Sequence, residues 1–131
     1  MVRLVCVAQG LYYLSTGLWP LVHMESFLAV TGPKTDLWLV DTVAVLVAVI
    51  GAVLLFAAAR HQVMSPIWLL AIGSAASLTI IEGFYALRGV IWSVYLLDAV
   101  LEIVLIALWV IALARTRHAM PANVRHPHPA R

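Results

Sequence analysis

The 131-residue chain is 64% hydrophobic and 11% charged, with a mean hydropathy of +1.03. Soluble domains average about 45–50% apolar and about 25% charged residues, and a small globule needs a polar skin that this composition does not supply. The net charge of +2 excludes little, whereas the single cysteine, Cys6, excludes an internal disulfide or a cysteine metal cage within one chain.

A membrane-crossing helix needs roughly 20 mostly apolar residues. Four stretches qualify, at about residues 4–22, 37–59, 66–86 and 91–114. Gly32-Pro33-Lys34-Thr35-Asp36, Arg60-His61-Gln62 and Arg88-Gly89 punctuate them with breakers and charge. The last two connections are short, which makes their flanking helices antiparallel neighbours. In the longer first connection, Ser26–Val30 reads as a short amphipathic turn along the interface. The first stretch is not read as a cleaved leader, because Gln9, Tyr12, Tyr13, Ser15 and Thr16 interrupt it and no small-x-small site follows. The expected fold class is therefore an all-α integral membrane protein, an antiparallel bundle of four transmembrane helices in residues 1–114. Residues 115–131 form a basic tail with His118, His126 and His128 among prolines and arginines, expected to be disordered at the cytoplasmic leaflet.

Charge gives the orientation. Four spans put both termini on one side, with Arg3, Arg60, Arg115, Arg117, Arg125 and Arg131, and leave Lys34 and Arg88 on the other. Positive residues collect in the cytoplasm, so the termini are expected there, in a cell membrane. The same bias counts against an inverted, dual-topology dimer.

The acids segregate the opposite way. Glu25, Asp36 and Asp41 fall at the outer ends of the first two spans, and Glu82 near the outer end of the third. Asp98 lies about two turns into the fourth span and Glu102 one turn deeper, roughly 20 Å from the Arg88-Gly89 turn. Charge exposed to lipid costs about 2.5–3.5 kcal/mol on insertion scales, so Asp98 and Glu102 are expected to face the bundle interior or a wet cavity. Helical spacing gives each span one special face. Gln9, Tyr13, Thr16 and His23 form a stripe on the first, and Asp41, Ala44, Ala48 and Ala52 a small-residue face on the second. Ser74, Glu82 and Tyr85 mark the third, and Tyr95, Asp98, Glu102 and Trp109 the fourth.

Turning these faces together yields an acidic and aromatic pocket in the outer half. Glu102, Asp98 and Glu82 are the candidate acid/base or proton-binding groups, and Asp98 and Glu102 are a like-charge pair one turn apart. Asp41, His23, Arg88, Tyr13, Tyr85, Trp92 and Tyr95 are the candidate ligand contacts, the aromatic rings serving as apolar or cation–π surfaces. Carboxylates that outnumber their cationic partners keep a proton, bind a cation or stay hydrated. The expected occupant is a lipophilic or cationic small molecule, acted on by acid/base chemistry if it reacts. Two other readings compete: proton or cation transport with Glu102 as relay, and a non-catalytic subunit whose polar faces meet a second copy or a partner membrane subunit. Ordinary structural roles remain for Asp41 as a helix-dipole partner, Arg88 as a neutralising charge, and Trp19, Trp38 and Trp92 as an interfacial belt.

Metal and cofactor signals are absent: His23-Met24-Glu25 lacks the paired Glu-x-x-His repeats of carboxylate bundles. No glycine-rich phosphate loop, nucleophile elbow or HExxH string is present. No basic, aromatic-interleaved surface suggests nucleic acid. The chain also lacks the first-helix glutamate of small multidrug exporters, having no acid before Glu25.

Overall fold

The computed structural model describes residues 1–118, which hold five helices and no strand. They are α1 (Val2–Val22), α2 (Met24–Thr31), α3 (Leu37–Ala59), α4 (Ser65–Leu87) and α5 (Val94–His118). Three of them, α3, α4 and α5, are long and apolar enough to cross a membrane, which suggests a membrane location. At 21 residues α1 is also long, but it falls outside that apolar set. Gln9, Tyr12, Tyr13, Ser15 and Thr16 are what set its composition apart from the other three.

Two boundaries differ from the sequence reading. The expected interfacial turn is a full helix, α2, whose N-terminus His23 caps by accepting the Ser26 amide on Nδ1 at 3.2 Å. The last long helix starts at Val94 rather than near 91 and runs through His118, past the expected end at Ala114. The rest of the basic tail, residues 119–131, lies outside the described residues.

The long helices alternate in direction. At one end, the terminal end, Arg3 Nε donates to Ala58 O at 3.1 Å, and Arg115 lies 3.7 Å from the Met1 sulfur. At the other, the loop end, the connection after α2 meets the one before α5, where Trp92 covers Gly32. The closest helix pair is α1 with α3, and glycine permits it. A Cβ on Gly17 would stand 2.6 Å from Ala44 O and from Ala48 N, and one on Gly51 only 2.5 Å from Leu14 N. Small residues allow such backbone approach, and in lipid that packing replaces the hydrophobic drive of a soluble core. The small face of α3 is thus Ala44, Ala48 and Gly51, while Ala52 is exposed.

A tight core closes the terminal end. Val5, Cys6, Leu54, Ala58, Ala71, Trp109 and Ala112 are buried together, and Cys6 Sγ donates to Leu54 O at 3.3 Å. Two polar side chains sit in it fully satisfied: Trp109 Nε1 donates to Gln9 Oε1 at 2.7 Å, and Gln9 Nε2 to Ala71 O at 2.8 Å. Toward the loop end the core gives way to a cavity.

Candidate functional site

The cavity has a volume of about 890 Å³ and is bounded by α1, α3, α4, α5 and, across the loop end, α2. That falls within the range of small-molecule sites, about 300–1,000 Å³. Its floor carries Glu82, Asp98 and Glu102. Each reaches it by helical register. On α5, Asp98 and Glu102 share a face with the buried Leu105, Trp109 and Ala112. On α4, Glu82 continues the buried row of Ala71 and Ala75.

The three acids are held differently. Tyr13 Oη donates to Glu102 Oε2 at 2.9 Å, and both residues are almost fully buried. The Tyr12 hydroxyl donates to Asp98 Oδ1. Two adjacent tyrosines of α1 thereby supply one donor to each acid of α5. Glu82 differs: it is 7% exposed, and its Oε2 has no hydrogen-bond partner. A buried polar atom left unpaired costs about 1–3 kcal/mol or more, and this oxygen is one that the protein's own groups leave unpaired. Among the described residues, no three histidine, cysteine or acidic side chains converge to hold a metal ion.

The roof is built from residues 27–36 and Trp92. Phe27 and Thr31 project from α2, which is tied back to α1 by the Trp19 Nε1 to Ser26 Oγ bond of 2.8 Å and an edge-on Trp19–Phe27 contact of 5.6 Å. Lys34 Nζ donates to Thr31 O and Thr31 Oγ1 at 3.1 Å and to Gly32 O at 3.3 Å. Its ammonium also lies 5.1 Å from the Tyr95 ring centre and 5.5 Å from that of Phe27, within cation–π range. Gly32 has a φ of +91°, and a Cβ there would stand 2.7 Å from Trp92 Nε1. Glycine is therefore required twice over, for conformation and for close approach.

Of the residues singled out from the sequence, Glu82, Asp98, Glu102, Tyr13, Trp92 and Tyr95 all line this cavity. Asp41, His23, Arg88 and Tyr85 do not. Asp41 is exposed, and His23 is spent on capping α2. Arg88 is exposed and lies 4.1 Å from the Phe84 ring centre, and Tyr85 packs edge-on to the same ring at 5.2 Å. Each sits within a turn or two of a helix end, where an outward-facing polar group meets no lipid penalty and nothing forces it inward.

Tyr12 and Lys34, like Phe27 and Thr31 of the roof, were not assigned to the site from the sequence. Tyr12 lies 100° around α1 from Tyr13 but about 40° from Thr16 and about 60° from Gln9, so the spacing of the stripe itself was a signal that could have included it. Lys34 belongs to the Thr31–Asp36 segment, whose glycine, proline and charges marked a turn and gave no sign that it folds back over a cavity. The chain matches no protein-family model, no curated protein and no solved structure.

Proposed function

We propose that this chain is a multi-pass cell-membrane protein, an antiparallel four-span bundle with both termini cytoplasmic, whose cavity in the outer half binds a lipophilic or cationic small molecule. Counting α1 as the fourth span is supported by its packing along α3, and by Gln9 and Tyr13, which turn its polar stripe away from lipid. Orientation rests on the arginines at the terminal end. The binding reading rests on one observation above all: the unpartnered carboxylate oxygen of Glu82 in a cavity of about 890 Å³. An occupant that donates a hydrogen bond there relieves a buried deficit that the protein leaves uncorrected. Roles for proton transfer divide in the same way. Glu82 is free to exchange a proton with a bound molecule, while Asp98 and Glu102 already accept from tyrosine hydroxyls.

Transport through Glu102 is the weaker reading. Between that carboxylate and the terminal end lie Trp109 and Gln9, locked to each other and to Ala71, amid apolar side chains. The non-catalytic subunit reading is weaker too, because the acids are occupied with an internal cavity rather than an external helix.

The test is native mass spectrometry of the protein released from its own membranes. The wild type should carry a lipophile that Glu82→Gln, Asp98→Asn and Glu102→Gln lose or retain at least ~10-fold less, a loss of about 1.4 kcal/mol in affinity. A ligand profile identical in all four proteins would refute the acidic floor.

A further inference from the structure

The shape of the cavity says how it is filled and by what kind of molecule, an inference that rests on the binding reading above. Its roof is fastened. The Lys34 ammonium has three oxygen acceptors and two aromatic rings around it, Trp92 covers Gly32, and Trp19 anchors α2. The terminal end is plugged by the Trp109 core. The side between α3 and α4 is neither fastened nor plugged. These two helices meet in the core of the terminal half through Leu54, Ala58 and Ala71, and they touch far less than α1 and α3 do. Toward the loop end, Leu39, Val43 and Val47 of α3 line the cavity, as do Leu78 and Glu82 of α4. Leu39 and Val43 are each also 48% exposed, so the same side chains that wall the cavity face the surroundings. In a bilayer those surroundings are acyl chains.

We infer that the cavity is loaded sideways from the outer leaflet, between α3 and α4, by a membrane-dissolved molecule with an apolar body and one small hydrogen-bond-donating head that seats on Glu82. The apolar wall is the path of the body, and Glu82 Oε2 is, among the described residues, the one fully buried side-chain atom that no protein hydrogen-bond partner occupies. A metal ion fits poorly, since among the described residues no three ligands converge. A large polar molecule would have to cross a roof whose cation is already spent on its own carbonyls.

The test uses the full chain in nanodiscs with three photoreactive 18-carbon probes carrying a primary amine, a hydroxyl or a methyl ether. Equilibrium labelling should favour the amine or the hydroxyl over the ether by at least ~10-fold. Labels should map to Leu39–Val47 and Leu78, and Glu82→Leu should abolish the preference. The amine losing more than the hydroxyl in Glu82→Gln would identify a cationic head, and equal losses a neutral one; either supports the proposal. Val43→Trp should slow labelling several-fold; Lys34→Ala, which unfastens the roof, should not speed it; and Val100→Trp, at an exposed α5 position that does not line the cavity, should leave the rate as it was. Thermal unfolding of every variant separates these effects from misfolding. Faster labelling in Lys34→Ala with no effect of Val43→Trp would overturn side entry and leave the binding site standing. Equal labelling by the ether would overturn the donor head. No cavity labelling by any probe would remove this inference, and the binding reading would then stand or fall on the mass-spectrometric comparison.

Discussion

Gly51→Leu should leave the protein unable to hold α1 against α3, giving a broad, aggregated profile in detergent and a large loss of resistance to unfolding. A Cβ at this position meets Leu14 N at 2.5 Å and Gly10 O at 2.8 Å. Both are backbone atoms of a helix, so no rotamer change makes room, and the helices must part. Overpacking a tight core costs about 1–3 kcal/mol. Here the whole crossing shifts, so the loss should lie at or above the upper figure. The effect would spread to the site, because α1 carries Tyr12 and Tyr13 to the acids of α5. Gly73→Leu is the control: it makes the same change in α4, where nothing lies within 4 Å of the added Cβ, and should unfold like the wild type. Equal stability of the two variants, measured by unfolding in mixed micelles, would mean that α1 does not cross α3 at Gly51.

That crossing illustrates what could be read in advance. Length and composition gave the long helices, because a bilayer makes a single demand on a span and Leu, Val and Ile answer it over α3, α4 and α5. The small face of α3 was legible in Ala44 and Ala48 but not in its continuation, since Ala52 and Gly51 are equally small and only the close approach of α1 at Gly51 selects between them. The deep acids were legible for an energetic reason. Asp98 and Glu102 lie where lipid exposure is expensive, so periodicity and cost point the same way. For His23, Asp41 and Arg88, near helix ends, cost is silent and periodicity alone misleads. The start of α5 at Val94 was hidden because Ile91 and Trp92 are apolar and look like span. Trp92 leaves the helix to lie on Gly32, a contact that no local pattern announces.

The second large effect belongs to Gln9→Leu. Gln9 is fully buried, and its side-chain amide uses both ends, accepting from Trp109 Nε1 at 2.7 Å and donating to Ala71 O at 2.8 Å. Leucine has nearly the same volume, so cavity formation contributes little and the cost is that of the orphaned Trp109 N–H, since Ala71 O still accepts from Ser74 Oγ at 3.1 Å. An unpaired buried donor costs about 1–3 kcal/mol in soluble proteins, and several kcal/mol where no water reaches it in a bilayer. Gln9→Leu should therefore destabilise by about 2–4 kcal/mol, read as a shift of the unfolding midpoint at unchanged slope. Trp109→Phe removes the orphaned N–H but also core volume, so it should cost less in the Gln9→Leu background than in the wild type, a coupling read from the double-mutant cycle. A single variant as stable as the wild type would mean that water reaches Trp109 from the terminal end. That result would also reopen the question of passage below Glu102. A tryptophan N–H locked to an amide donates one hydrogen bond and accepts none, so on the proposed binding reading it is this pair, more than the apolar side chains around it, that closes the floor of the cavity.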